Sequence, residues 1–407
     1  MSTQEIIILG GGIVGKTAAL AFSQKGLKVL HIAANFGDKS NTNSASSEKD
    51  AWNSRVYAIS HSSEELFKDL QIWQAIDSSR RQVVEQMRIY GDSGEIADGI
   101  HFSAFEANLP KLAHIVESQQ IEEALDLATT FSKFITRLEA NFESISMGEG
   151  EAIVKTNVGI FKATLVIAAD GANSLIRTQV GIEISQDLYK HTAVIGNFAC
   201  ENHHLSTAHQ WFLDNGDVLA LLPLPNKKVS MVWSTSEANA AHLVDLAKND
   251  CELLCQSISS QAQGLPLQAL GKLQLLNQVK TYPLKRQRAK QFIGPTLDPK
   301  VVLLGDAAHV MHPLAGQGLN LGLRDIRDLV KTITEKETFR SINDRVLLRR
   351  YERARVADVD AILGVTHHLH RLFMRNDSAL KWLRNTGMRL LNQQSNIKKQ
   401  LIAKALE

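Results

Sequence analysis

Short runs of apolar residues recur along this chain, and each ends at a glycine or at an aspartate–glycine pair. They lie at residues 6–9, 165–169 and 301–304, and Val, Ile, Leu and Ala dominate them. Runs of this length predict strands that are buried on both faces, as in a parallel sheet. A helix is predicted after each run, so the pattern favours strand–helix units of an α/β domain.

The middle of the chain has a different pattern. Residues 192–200, 208–213, 218–222 and 229–235 read as successive strands separated by Asn-Gly and Pro-Asn turns. We expect them to form a mainly antiparallel sheet that makes one wall of a substrate pocket.

From residue 341 onward the apolar period is helical. The predicted core-facing positions are Val346, Leu347, Ala354, Ile362, Leu369, Leu372 and Phe373. We therefore predict a discontinuous Rossmann-like domain (residues 1–70, 105–180 and 280–340), an inserted α+β substrate domain (71–104 and 181–279) and C-terminal helices (341–407).

The first apolar run leads into the spacing G-x-G-x-x-G, formed by Gly10, Gly12 and Gly15. Glycines at these positions permit a tight turn, the approach of a pyrophosphate and close packing of helix on strand. Ile13 and Val14 would begin a helix whose N-terminus faces the phosphates. The motif therefore predicts a dinucleotide site.

The second strand of this unit departs from the usual pattern. It ends at Ala33, where such sites normally have Asp or Glu to bind the adenosine ribose. Asn35 and Asp38, in the loop that follows, are alternative acceptors, and weaker nucleotide binding is the other interpretation.

The other two apolar runs place carboxylates at their ends. Asp170-Gly171 follows one run, and this pair alone is equally consistent with an ordinary turn. Gly305-Asp306 follows the other, and a Gly316-Gln317-Gly318 segment then opens a predicted helix. A glycine-rich helix N-terminus suits an electron-rich ring carbonyl or an oxyanion.

Together these motifs resemble the signature of the para-hydroxybenzoate hydroxylase class of flavoprotein monooxygenases. The resemblance rests on Gly10, Gly12, Gly15, Asp170, Gly171, Arg177, Gly305 and Asp306, in the order of that class. Residues 55–60, 112–117, 220–224, 305–322 and 351–355 resemble its ubiquinone-biosynthesis hydroxylase subfamily, and the similarity extends to about residue 400. This subfamily has an acid in place of Ala33 and often Arg in place of Gln119.

The resemblance implies FAD as cofactor and NADPH or NADH as co-substrate. It implies hydroxylation, through a C4a-hydroperoxyflavin, of the aromatic ring of a prenylated phenolic ubiquinone precursor by O2. The implied cofactor-binding residues are Gly10, Gly12, Ile13, Val14, Gly15, Arg55, Gln119, Asp170, Gly171, Gly305, Asp306, Pro313, Gly316, Gln317, Gly318, Leu319 and Asn320. No catalytic base is identified. A soluble phenol hydroxylase, an isoprenoid reductase and a weakly FAD-binding scaffold of a biosynthetic complex remain alternatives.

Composition changes this picture little. The chain has 407 residues, a net charge of +2 and no basic runs interleaved with aromatics, so we expect no nucleic-acid partner. Its 3 cysteines are too few for a disulfide framework, and no apolar stretch approaches the roughly 20 residues that span a bilayer. We expect a cytoplasmic protein, with contact to the inner membrane as a further interpretation. The histidines at 309, 312, 367, 368 and 370 have no evident partner ligands, so no metal is predicted.

The C-terminal segment is basic. Residues 378–407 contain Lys381, Arg384, Arg389, Lys398, Lys399 and Lys404 but only Glu407 as an acid. One interpretation is a surface for anionic lipid or a partner protein. The favoured one is a helix packed on its own domain, since Asn385, Gly387 and the Asn-rich residues 392–396 interrupt the amphipathic pattern. A homo-oligomer is compatible with the sequence.

Overall fold

The computed structural model describes residues 3–37, 52–91, 99–262, 270–311, 317–374 and 378–406. The strands are β1 Gln4–Leu9, β2 Val29–Ala33, β3 Val56–Ile59, β4 Arg81–Val84, β5 Gln86–Tyr90, β6 Ile100–Ser103, β7 Ala113–Glu117, β8 Ile135–Glu139, β9 Phe142–Met147, β10 Ala152–Thr156, β11 Gly159–Ala168, β12 Ile184–Cys200, β13 Thr207–Phe212, β14 Val218–Leu224, β15 Lys228–Ser236, β16 Leu273–Leu275, β17 Lys280–Ala289, β18 Ile293–Gly294, β19 Val301–Leu303 and β20 His309–Val310.

The α-helices alternate with these strands in the first part of the chain and dominate its end. They are α1 Ile13–Gln24, α2 His61–Asp69, α3 Ser118–Phe131, α4 Leu175–Gln179, α5 Glu237–Asn249, α6 Cys251–Gln261, α7 Gly318–Thr334, α8 Arg345–Met374, α9 Ser378–Gln393 and α10 Ser395–Leu406.

The predicted parallel sheet is present. Its strand order is β18-β19-β11-β1-β2-β8, and a hairpin of β9 and β10 is attached to β11. The pairs β19–β11, β11–β1, β1–β2 and β2–β8 are parallel. Because β1, β11 and β19 are adjacent and parallel, the three glycine-containing turns that follow them lie at the same edge of the sheet.

The predicted antiparallel sheet is also present, with the order β20-β17-β12-β15-β14-β13-β5-β6 and β16 on β12. One pair in it, β13 with β5, is parallel. Strands β3, β7 and β4 form a third, small sheet. One face of the large antiparallel sheet packs on α5 and α6 through Val194, Phe198, Met231, Leu243 and Ile258. Since side chains alternate along a strand, the intervening residues occupy the other face.

Two of the core positions predicted in the long helix α8 are wrong. Leu347 is buried and Ile362 packs against the core, as predicted, but Val346 is 49% exposed and Ala354 is exposed. The buried stripe of α8 instead consists of Leu348, Tyr351, Arg355, Val359 and Leu363. Because a charged residue, Arg355, belongs to this buried stripe, the apolar pattern of the sequence did not show which face of α8 is buried. The side chains of Leu369, Leu372 and Phe373 lie outside the described residues.

The C-terminal helices pack on the antiparallel sheet. Met388 of α9 is buried with Phe212 and Val218, and the His101 backbone N–H donates to Asn392 Oδ1 at 3.0 Å. Lys398 Nζ of α10 donates to the His101 carbonyl at 3.2 Å. These contacts support the interpretation that this segment packs on its own chain. Asn385 and Gly387, which interrupt the amphipathic pattern, do not end the helix, since α9 continues through both and stops only before residue 394.

Candidate functional site

The turns after β1, β11 and β19 meet at the carboxyl edge of the parallel sheet. The Ala169 N–H donates to the Leu9 carbonyl at 2.8 Å, and the Leu304 N–H donates to the Ala168 carbonyl at 2.9 Å. The sheet therefore extends to the last residue before each turn. It brings Gly10, Asp170 and Gly305 side by side, although they are far apart in the sequence.

The first turn has no room for a side chain at Gly10 and Gly15, two of the three glycines of the G-x-G-x-x-G motif. Gly10 has φ +129°, and a Cβ there would lie 2.1 Å from the Ala169 carbonyl oxygen. A Cβ at Gly15 would lie 2.0 Å from the Gly10 carbonyl oxygen, so α1 sits directly on this turn. Close packing at these positions therefore excludes every residue but glycine.

Gly12 differs from these two glycines. A Cβ at Gly12 would meet nothing within 4 Å, and its φ of −78° and ψ of 178° are open to any residue. Gly12 is exposed, and it caps α1 without a side-chain acceptor. The first N–H groups of α1 thus face open space with a positive dipole end, which is the environment that a pyrophosphate requires.

His31 supports this turn from below. Its Nε2–H donates to the Gly10 carbonyl at 2.8 Å, and the ring packs edge-on against Phe36. Burial lowers the pKa of His31 to about 4. The imidazole is therefore neutral at physiological pH, and it adds no positive charge beneath the turn.

Arg177 connects the second and third turns. It is buried, and its guanidinium donates to the Ala307 carbonyl at 2.8 Å and to the Ala172 carbonyl at 3.2 Å. Asp170 Oδ2 accepts from the Ile176 N–H at 3.4 Å, whereas its buried Oδ1 has no partner among the described residues. An unpaired carboxylate oxygen at this edge is consistent with a ligand that donates a hydrogen bond.

Asp306 lies in the third turn, directly after Gly305, and it is exposed. Desolvation by the surrounding protein raises the pKa of Asp306, and electrostatic interactions with His309, Arg55 and Lys285 act in the opposite direction. The Arg55 guanidinium stacks over Tyr57 at 5.2 Å and over Tyr282 at 5.8 Å from the ring centroids. The surroundings of Asp306 therefore combine a carboxylate, a guanidinium and aromatic faces.

The start of α7 borders the same edge. Leu319 is buried, and Asn320 is held by β3: its Oδ1 accepts from the Ser60 N–H at 3.0 Å and its Nδ2 donates to the Ala58 carbonyl at 2.7 Å. The Asn320 side chain thus anchors α7 to β3. Gln317 precedes the helix and is partly exposed.

Three other predicted site residues are not among the groups described above. Gln119 lies in the first turn of α3, exposed, where its Nε2 donates to Glu123 at 2.7 Å. Pro313 and Gly316 fall outside the described residues, as do His312 and Asp38.

A buried ionic network behind the third turn was not predicted from the sequence. Asp325 of α7 is fully buried; its Oδ2 accepts from the Gly305 N–H at 3.0 Å and from His309 Nε2 at 2.7 Å. Its Oδ1 accepts from Arg355 Nε of α8 at 2.8 Å. The network holds the Gly305 turn in place. One signal was available, because Leu321, Asp325 and Leu329 recur at the spacing of one buried helix face.

His309, three residues after Asp306, is therefore held by Asp325 in this buried network. Within the ranges that the structure covers, no group of three or more His, Cys, Asp and Glu side chains is placed to hold a metal ion.

Comparisons with known proteins show the family of this chain. A family model described as an FAD binding domain matches residues 3–364. The 3-demethoxyubiquinol 3-hydroxylase of Escherichia coli (strain K12) is 30% identical over 411 residues, which cover 99% of this chain and 98% of that protein. The mitochondrial ubiquinone biosynthesis monooxygenase COQ6 of Drosophila melanogaster is 32% identical over 425 residues, covering 95% and 86%.

Solved structures show the same fold. The p-nitrophenol 4-monooxygenase PnpA of Pseudomonas putida DLL-E4 superimposes with a TM-score of 0.75 at 15% identity, over 100% of this chain and 99% of that one. Klebsiella pneumoniae HpxO, complexed with FAD and uric acid, gives 0.72 at 17% identity, over 98% and 97%.

The chain belongs to the FAD-binding domain family, and the open N-terminus of α1 and the unpaired Asp170 oxygen fit that cofactor. Within this family it groups with the ubiquinone-biosynthesis hydroxylases, which confirms the resemblance seen in its motifs.

Proposed function

We propose that this protein is an FAD-dependent monooxygenase that hydroxylates the aromatic ring of a prenylated phenolic precursor of ubiquinone. The names of the relatives supply the substrate class and FAD binding follows from the family. The observation that carries the proposal is an apolar sheet face that also contacts the segment leading to Arg55.

Bound FAD would take a hydride from NADPH or NADH and activate O2 for transfer to the ring. In our proposal Gly10, Gly12 and Gly15, with Ile13 and Val14, receive the pyrophosphate, and Asp170 faces its sugar or phosphate end. Asp306 would bind hydroxyl groups of the cofactor, with Gly171 and Gly305 forming the turns. Arg55 and residues 316–320 would surround the flavin ring, with Gln119 and Pro313 at its margin.

The apolar face belongs to the antiparallel sheet. Ala220, Val232 and Ile195 are in cross-strand register on β14, β15 and β12, and all three are only partly buried. They alternate with the residues that pack on α5 and α6, so they point away from those helices.

This face contacts the segment that leads to Arg55. Asn197, which shares it, donates from Nδ2 to the Asn53 carbonyl at 2.9 Å, in the segment that leads to Arg55. A partly exposed apolar row beside polar groups is typical of a site for an apolar aromatic ligand. It would also help to exclude water from the reacting centre.

The proposal predicts NAD(P)H oxidation with O2 uptake and a product heavier by one oxygen atom when a phenol with a short isoprenoid tail is added. For the same phenol without its tail, kcat/KM should fall by about tenfold or more, since each buried methylene contributes about 0.8 kcal/mol. Val232→Thr should lower kcat/KM for the tailed phenol and leave FAD content unchanged. Val158→Thr is the matched control, because Val158 is 55% exposed in the β10–β11 turn.

Other results would select the alternatives. Equal use of tailed and untailed phenols would indicate a soluble-phenol hydroxylase, and reduction of a tail double bond without O2 uptake would indicate a reductase. FAD-loaded protein that turns over neither phenol would contradict the proposal and favour the scaffold.

We also propose that the outer surface of α10 contacts anionic lipid, from which a tailed substrate would be drawn. Ile397 and Leu401 lie one helical turn apart and are each 44% exposed, and Lys399 is exposed on another side of the same helix. Phe105, at 89% exposure, precedes Glu106, which pairs with Lys398 of α10 at 3.2 Å. In the described parts of the chain, no helix is long and apolar enough to cross a membrane.

Replacing both Ile397 and Leu401 with serine should reduce co-sedimentation with phosphatidylglycerol vesicles about tenfold, because each exposed side chain would otherwise bury apolar area in the interface. Phosphatidylcholine vesicles should bind the unchanged protein weakly. Phe339→Ser is the control, since Phe339 is 79% exposed before α8. Equal binding by the double variant and the unchanged protein would contradict this surface assignment.

A further inference from the structure

The cofactor site lacks an acid at the end of β2. Ala33 occupies that position and is buried, and its Cβ lies 3.0 Å from where a Cβ on Gly11 would stand. Residue 33 therefore points at the glycine turn, where a longer acidic side chain would meet the adenosine ribose. The chain needs another acceptor there if the adenosine half of FAD is to be held by a carboxylate.

The neighbouring strand places a carboxylate at the same level. Strand β8 is parallel to β2, Glu139 is the register partner of Ala33, and the Ala140 N–H donates to the Ala33 carbonyl at 2.8 Å. Paired residues of adjacent parallel strands project to the same face and lie about 4.8 Å apart. That separation is close to the reach of a glutamate side chain, so Glu139 can serve the space above Ala33.

Glu139 is also available for a ligand. It is exposed, and its carboxylate makes no hydrogen bond or ion pair with any residue that the structure describes. It lines an open cleft of about 380 Å³ together with Phe36, Thr130, Ile135 and Arg137. The nearest cation on its strand is already engaged, since Arg137 donates to Asp126 Oδ1 at 3.2 Å and stacks on Phe36.

We propose that Glu139 accepts a hydrogen bond from the adenosine ribose of FAD, in place of the acid that this chain lacks at residue 33. The carboxylate at the ribose would then belong to β8 rather than to the end of β2. The assignment concerns the cofactor alone and does not depend on which phenol is hydroxylated.

The test is the dissociation constant of the apoprotein for FAD and for FMN, measured by flavin fluorescence. FMN lacks the adenosine, so Glu139→Ala should weaken FAD binding about tenfold or more, the loss expected for one charged hydrogen bond, and leave FMN binding unchanged. Glu139→Gln should give an intermediate value. Glu149→Ala is the matched control, because Glu149 is an exposed glutamate of the same sheet, in the turn between β9 and β10.

Adding Ala33→Glu completes the test. In the Glu139→Ala background it should restore most of the lost FAD affinity, whereas in the unchanged protein it should gain less than about twofold, because the acceptor is already present. An equal gain in both backgrounds would overturn the assignment, and so would unchanged FAD affinity in Glu139→Ala. Binding of FAD no tighter than FMN by the unchanged protein would also overturn it, since the adenosine would then make no contribution. If Glu139→Ala failed to fold, Ala33→Glu in the unchanged protein would be the test by itself. A gain in FAD affinity well above about twofold would then overturn the assignment.

Discussion

Gly12→Ala is expected to weaken FAD binding by about a hundredfold while the apoprotein folds as before. The methyl group would occupy the space in front of α1, where it displaces the pyrophosphate from two or more N–H groups worth about 1.5–3 kcal/mol each. Inside the protein it meets nothing within 4 Å, and the backbone at Gly12 is extended. Loss of helix-cap preference should cost only about 1 kcal/mol. Fluorescence titration with FAD and chemical denaturation of the apoprotein measure the two quantities.

Gly15→Ala is the comparison that separates affinity from stability. Its methyl would lie 2.0 Å from the Gly10 carbonyl oxygen, so α1 must move away from the turn. We expect a loss of about 3 kcal/mol or more in the free energy of unfolding. If Gly12→Ala retained full FAD affinity, the N-terminus of α1 would not be the pyrophosphate site.

The second large effect is expected at Asp325. Asp325→Ala removes the shared acceptor of Arg355, His309 and the Gly305 N–H at once, and leaves the buried Arg355 guanidinium only its two partly exposed partners, Asp328 and Asp358. Breaking a buried pair in this way costs about 3–5 kcal/mol. Urea unfolding should show this loss, and FAD affinity should fall with it because the Gly305 turn is no longer held.

The pH dependence of Asp325 has a defined sign. Burial alone opposes its charge, but His309, Arg355 and the Gly305 N–H outweigh burial, so the pKa of Asp325 is lowered. Its contribution to stability is therefore full above about pH 3.9, the ordinary pKa of Asp, and is lost as the pH falls through the lower folded value.

Asp328→Asn is the control for Asp325. Asp328 accepts from the same Arg355 at 3.0 Å but is 29% exposed, so its loss should cost about 1 kcal/mol or less. Asp325→Asn, which keeps the shape of the side chain, provides a second variant if Asp325→Ala gives no soluble protein. A stability loss at Asp325 no larger than that at Asp328 would show that the buried network does not hold this turn.

Local pattern predicted the elements that position the site. The apolar run before Gly10 had to be a strand, and Gly10 and Gly15 can only be glycine where helix and strand touch. The prediction failed where the cause is tertiary. Val346 is apolar yet exposed, and Arg355 is charged yet buried, because Asp325 on another helix compensates its charge.

The sequence by itself determined the strands that precede the three turns, the glycine turn, the two carboxylate motifs and, through them, the FAD-binding family. Those features depend on neighbouring residues, whose backbone conformation and spacing are local properties. Only the tertiary structure decided that Asp325 supports the Gly305 turn and that Ala220, Val232 and Ile195 form one apolar row. It alone also set Glu139 beside Ala33, because strand order and register join residues that no local pattern connects.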